Sequence, residues 1–358
     1  MSHPSPNFDL IRSLHSKLYN NHPQTPLIPL PDLARQLGCA GVYVKDESER
    51  FGLPAFKVLG ASWGLCSALA ERVGVDVLDL EGVGREARGR DIRVYAATDA
   101  STVLGGERNH DGDNGTCNHG RAVARVAKQL GIPAIIYVPT SVKEWSREAI
   151  RSEGANVVVV DGSYDEAVRR AAADCAGAGG LLVQDTSWEG YEDIPLRIVH
   201  GYSQLFYEVD SQLPHAQSAS HVVVPVGVGS LAHAAVLWYG PTLTDIITVE
   251  PTTAACLRTS LLAGEITPIE TGHTIMPGLN CGTVSRLAWP DLRGKIKLEN
   301  ALVVGDDEVE RAMEDLESWG VMAGPCGAAS LAGLRQLQPR LTGSDVVVLI
   351  CTEGRGRE

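Results

Sequence analysis

The stretch "LPAFKVLGA" places one lysine, Lys57, among apolar and small neighbours. Burying an ammonium without a partner costs several kcal/mol. Such a lysine earns its place when desolvation lowers its pKa and frees an amine nucleophile. The structural alternative is a stem lying along apolar surface with the amine in water. A second group of residues points to an anion. In "HVVVPVGVGSLAHAAVLWY", a strand-like run enters Gly227, Val228, Gly229 and Ser230 and then a helix. Glycines there allow close backbone approach, and the helix start offers unpaired N–H groups and the positive end of its dipole. Gly227, Gly229 and Ala232 also satisfy G-x-G-x-x-A, and Glu250 follows at a strand end about twenty residues on, so a dinucleotide fingerprint competes with a phosphate cradle.

One ligand uses both an amine nucleophile and a phosphate cradle: pyridoxal 5′-phosphate, whose aldehyde forms a Schiff base with a lysine. Such a site also needs a donor near the ring hydroxyl and a small polar group near the pyridine nitrogen. Asn118 in "CNHGRA" suits the first role. Cys351 or Thr352 in "ICTEG" suits the second.

The elements that must position these residues alternate along the chain. Strands are expected at 92–98, 132–139, 156–160, 180–185, 221–226, 244–250 and 345–352. Helices are expected at 119–131, 141–154 and 163–176, the last opened by Ser163 and Glu166 in capping-box spacing. Continuous Val/Ile runs between helices mean parallel strands covered on both faces, hence an α/β protein with parallel-rich sheets covered by helices. Residues 74–91 read as a surface linker. Residues 100–117, polar, glycine-rich and without period, read as an exposed excursion.

The bulk properties narrow the function. The 358 residues suit about two domains. A net charge of −13 argues against nucleic acid or an anionic membrane surface as partner. No apolar run is long enough to span a bilayer, and no apolar signal core opens the chain, so a cytoplasmic location is expected. The eight cysteines, with no C-x-x-C pair or zinc-like spacing, suggest reduced thiols and no metal site.

Taken together, "YVKDESERFGLPAFKVLG", "AATD…NHGRAVA", "VQDTSWEGYEDIP", "PVGVGSLA", "TVEP", "HTIMPGLNCG", "GPCGAASLAGL" and "CTEG" resemble the fold-type II pyridoxal-phosphate enzymes, the tryptophan synthase β superfamily. Within it the diaminopropionate ammonia-lyase family is the most similar, through "RFGLPAFK" and "QDTSWEGY". The resemblance spans Tyr43 to Gly354. It implies a two-domain fold, with a smaller α/β domain at 93–183 and a larger domain from 1–92 and 184–358, in a homodimer.

The resemblance also implies roles. Lys57 would carry the cofactor, residues 227–230 would hold its phosphate, Asn118 would meet the ring hydroxyl, and Cys351 or Thr352 would meet the pyridine nitrogen. Asp185 would be the base at Cα for an L substrate and Asp99 for a D substrate. Their structural alternatives are a helix N-cap and a turn. In the family the second aspartate is followed almost at once by Gly-Asn-His. Here residues 100–117 intervene, Cys117 replaces the glycine, and Asp111 or Asp113 become further candidates. Cys326, His119 and His273 are read as packing residues.

The implied activity is α,β-elimination of an amino acid, 2,3-diaminopropionate first, giving pyruvate and ammonia. A serine/threonine dehydratase or β-replacement enzyme shares the apparatus. An inactive cofactor-binding homologue and an NAD-dependent dehydrogenase are the readings from other classes.

Overall fold

The structure is a computed structural model that describes residues 6–20, 22–99, 117–215 and 217–355. Residues 100–116, with Asp111 and Asp113 and all but the last residue of the expected excursion, lie outside the described residues. The described strands are β1 (Leu27–Pro29), β2 (Gly41–Asp46), β3 (Val94–Ala97), β4 (Ala134–Pro139) and β5 (Asn156–Val160). They continue with β6 (Leu181–Leu182), β7 (His221–Pro225), β8 (Asp245–Pro251), β9 (Ala301–Val304) and β10 (Val346–Cys351). The chain divides into two compact units.

Among the described residues, the first unit takes 6–20, 22–23, 57–99 and 117–204. Its sheet runs β5-β4-β3-β6, all parallel. Tyr95, Ala97 and Tyr137 pack against Ala167, Ala171 and Cys175 of the helix Tyr164–Ala178. That helix begins with the expected capping box of Ser163 and Glu166. The run "NVVVV" forms β5, the sheet edge, so its valines are only partly covered and Val159 is exposed. The helix Lys57–Val73 packs against the helices Asn118–Gln129 and Asp193–Gly201. Small residues allow this. A Cβ on Gly60 would lie 2.5 Å from the Tyr202 ring, and one on Gly64 would lie 2.7 Å from Ile198. This helix layer and the four-stranded sheet belong to the same compact unit.

The expected linker at 74–91 contains a helix, Leu80–Gly89. Asp79 caps it by accepting the Gly82 N–H, and Val83 and Ala87, one turn apart, are buried. Its glycines conceal this pattern in the sequence.

The second unit takes 24–56 and 205–355 among the described residues. Its sheet runs β1-β2-β10-β7-β8-β9, parallel except for β1. The helix Pro325–Leu337, almost all small or aliphatic, lies close against this sheet: a Cβ on Gly333 would stand 2.4 Å from Val249. Lys45, Glu47, Arg50 and Glu208 form a buried ion cluster, with Lys45 Nζ 2.7 Å and Arg50 Nη1 2.8 Å from the Glu208 carboxylate. Among the described residues, no helix is long and apolar enough to cross a membrane.

Candidate active site

Lys57 is the first residue of its helix, and its Nζ donates to Asp185 Oδ2 at 2.7 Å. The strand-end loop that carries Asp185 is pinned from both sides. The Gln184 amide accepts from Ala97 N–H at 2.9 Å and donates to the Tyr164 hydroxyl at 2.6 Å. The Tyr191 hydroxyl accepts from Gln184 N–H and donates to the Leu182 carbonyl, and the Trp188 ring stacks on Tyr191 at 4.3 Å. Asp185 caps no helix, since the next one starts at Asp193 behind Glu192.

Burial by itself lowers the Lys57 pKa, but Asp185, with Tyr202 and Tyr164 nearby, raises it further than burial lowers it. The net value lies well above that of an ordinary lysine. The expectation that desolvation yields a neutral amine is thus corrected: in the cofactor-free chain Lys57 is held as an ammonium, because a carboxylate shares its site. Asp185 is the mirror case. Burial pushes its carboxyl up, while His119 and the Lys57 ammonium pull it well below the usual range.

Sequence reasoning missed two neighbours of this pair. The Tyr202 phenol is fully buried and acts on Lys57 electrostatically. The signal was the small pair Gly60 and Gly64, which lets the Tyr202 helix approach. His119 lies in the first turn of the helix Asn118–Gln129, with Nδ1 3.7 Å from Asp185 Oδ2. The helix expected at 119–131 already placed His119 in a first turn; its approach to Asp185, 66 residues on, carried no local signal.

Asn118, the first residue of this helix, is half-buried. Asp99, two residues past β3, is also half-buried; burial first, and then the Asp99 charge, push the Cys117 thiol pKa up. Cys117 caps the helix at φ 48°, left-handed backbone that suits glycine better than cysteine. His273 is half exposed, 3.9 Å from Asp306.

The remaining expected residues belong to the second unit. Gly229 precedes the helix Ser230–Tyr239 at φ 100°, and no side chain caps that helix. The backbone N–H groups of Gly227, Val228, Gly229 and Ser230 have no acceptor among the described residues. A Cβ on Gly227 would stand 2.8 Å from the Gly278 carbonyl oxygen. Four consecutive unpaired donors at a helix start form an anion cradle. Of the two candidates at the end of β10, Cys351 Sγ donates to Glu353 O at 3.4 Å. Thr352 Oγ1 is buried with no partner among the described residues. Cys326 is buried, as expected of a packing residue, and its backbone N–H points to Glu353 at 3.4 Å.

Glu250 is fully buried, and its two oxygens accept the N–H groups of Leu257 and Arg258 at 2.7 and 2.8 Å. The acid that the dinucleotide reading needs for a ribose is therefore occupied as a helix cap. In the first unit an amine stands beside a carboxylate, and the second unit carries a cradle of bare N–H groups and an orphaned hydroxyl; each is a group that pyridoxal 5′-phosphate uses.

These features define an enzyme built around an aldehyde-bearing phosphate cofactor. The sequence pattern of the family described as "Pyridoxal-phosphate dependent enzyme" matches residues 109–353, and the chain belongs to that family. It is 32% identical over 373 residues to the diaminopropionate ammonia-lyase of Salmonella typhimurium, covering 96% of this chain and 88% of that protein. The structure is similar to that of the Escherichia coli diaminopropionate ammonia lyase in complex with D-serine, with TM-score 0.82, 32% identity and 97% and 88% of the two chains covered. The same lyase in complex with an aminoacrylate-PLP azomethine reaction intermediate gives TM-score 0.79, 31% identity and coverage of 99% and 91%.

Proposed function

We propose that the chain catalyses α,β-elimination of 2,3-diaminopropionate to pyruvate and ammonia. The observation that carries this reading is the Lys57 amine and the Asp185 carboxylate sharing one hydrogen bond at 2.7 Å. The likeness to diaminopropionate ammonia-lyases supplies the substrate. When bound, pyridoxal 5′-phosphate supplies an aldehyde for the substrate amine and an electron sink that acidifies the Cα–H.

The chain's own residues do the rest. Lys57 is the amine to which the cofactor attaches, and residues Gly227, Val228, Gly229 and Ser230 hold its phosphate through backbone N–H groups. Asn118 meets the ring hydroxyl. Thr352 serves the pyridine nitrogen in preference to Cys351, whose thiol already has an acceptor. Asp185 takes the Cα proton of the L enantiomer, and Asp99 takes the same part for the D enantiomer. Lys57, recharged from Asp185, donates a proton to the departing β-amino group. The division of the chain into a small domain at 93–183 and a large domain from 1–92 and 184–358 is part of this reading, supported by the resemblance. Cytoplasmic location, homodimeric assembly and a place in amino-acid catabolism also belong to it, supported by the resemblance.

The test is an absorbance spectrum of the purified protein with the cofactor, before and after borohydride, followed by DL-diaminopropionate. A band near ~410 nm that borohydride abolishes, absent from Lys57→Ala, and pyruvate release on substrate addition are expected. A Lys57→Ala protein that stays yellow and active overturns the assignment. A persistent band with no pyruvate overturns the lyase reading alone.

A further inference from the structure

The Asp185 carboxylate has a neighbour whose purpose packing does not explain. The His119 ring is 5% exposed, and its Nε2 lies 2.9 Å from the Val183 carbonyl oxygen. A carbonyl only accepts, so Nε2 carries the hydrogen, and in the neutral ring Nδ1 is a bare lone pair. Nδ1 has no hydrogen-bond partner among the described residues. It faces Asp185 Oδ2 at 3.7 Å, the same oxygen that accepts from Lys57. A lone pair facing a carboxylate gains nothing in the resting state. It gains a hydrogen bond once that oxygen carries a proton.

We propose that His119 is the positioning residue that relieves Asp185 of its proton. When Oδ2 has taken a proton, the new O–H donates to Nδ1. Transfer breaks that O–H bond, uses the Nδ1 lone pair to form N–H, and leaves a carboxylate beside an imidazolium. The reverse transfer recharges Asp185 for delivery to Lys57. This role rests on Asp185 acting as the base. The charged groups that bear on the ring are Asp185 and Lys57. Burial first, and the Lys57 ammonium, lower the imidazole pKa, while Asp185 raises it and the net is a lowering, so the ring is neutral and able to accept at neutral pH.

A purely structural histidine needs only the Nε2–H bond to Val183. His119→Gln can keep that donor and lacks a base at the Nδ1 position, so it separates the two roles. In the holoenzyme it is expected to lower kcat at least about tenfold with KM little changed, and to shift the acid limb of the kcat–pH profile. Combined with Asp185→Asn it should add nothing further, because it acts through that carboxylate. Nitrogen-15 NMR of the wild-type ring, with and without cofactor, should show Nε2 protonated and Nδ1 bare. A folded His119→Gln protein with wild-type kcat and pH profile overturns the proposal, as does an Nδ1-protonated neutral ring. If His119→Gln does not fold, the NMR tautomer decides. Full activity in Asp185→Asn would instead overturn the base assignment on which the role rests.

Discussion

Asp185 holds Lys57 as a cation: burial is the largest single influence on the amine and lowers its pKa, but the carboxylate 2.7 Å from Nζ, together with Tyr202 and Tyr164, outweighs it. Replacing Asp185 with asparagine leaves burial opposed only by Tyr202 and Tyr164 and is expected to reverse the Lys57 shift. In the wild type the raised pKa means that the contribution of Lys57 to stability is full below its unfolded value, ~10.4, and is lost as pH rises through the folded value. In Asp185→Asn the amine should instead titrate below an ordinary lysine, read as reductive methylation extending to lower pH. Elimination should fall by roughly 10²–10⁴ while the cofactor still binds.

That reversal also marks how far the sequence could be read. The runs "AIIYVP", "HVVVPV" and "DVVVLICT" announced parallel strands, and Lys57 and the glycines at 227 and 229 announced an amine and an anion cradle. Each signal is local, carried by residues within one element. What was not legible depends on partners distant in the chain. Asp185 lies 128 residues from Lys57, so the sign of the lysine shift could not be read from "LPAFKVLGA". Tyr202 and His119 reach the pair only through helix packing. Glu250 matched a ribose-binding acid by spacing, yet the N–H groups of Leu257 and Arg258 take both its oxygens. The helix at 80–89 escaped because glycines dilute its apolar face.

Thr352 should be expendable to the cofactor-free chain. Its hydroxyl is buried without a partner, a cost of about 1–3 kcal/mol that a valine avoids. Thr352→Val is therefore expected to melt at or above the wild-type temperature without pyridoxal phosphate. With the cofactor the order should reverse, because the variant gains less from binding. Thermal denaturation in both states reads this directly, and a variant destabilised without cofactor would show that the hydroxyl has another role.

Gly229 should resist substitution for two reasons. At φ 100° an L side chain is strained by ~1–3 kcal/mol. Its Cβ would also stand 2.9 Å from Leu292 Cδ1. Gly229→Ala is expected to lower stability and weaken cofactor retention on dialysis. Gly294→Ala makes a fair control, since nothing lies within 4 Å of its added Cβ. Equal behaviour of the two variants would remove Gly229 from the cradle.

Glu250 makes the stability of the second unit depend on pH in the opposite sense to Asp185. Burial pushes its carboxyl up to about 7, against the pull of the Arg258 and Leu257 N–H groups and the Cys256 side chain. Because the folded value exceeds the unfolded one, its contribution is full below ~4.3 and is lost as pH rises through about 7. Glu250→Gln keeps an oxygen for the helix start and cannot ionise. The advantage of the wild type over this variant should shrink steadily between ~pH 5 and ~pH 8, as measured by urea unfolding at several pH values. A constant difference would mean that the carboxylate stays charged throughout, stabilised by the helix it caps more strongly than burial opposes it.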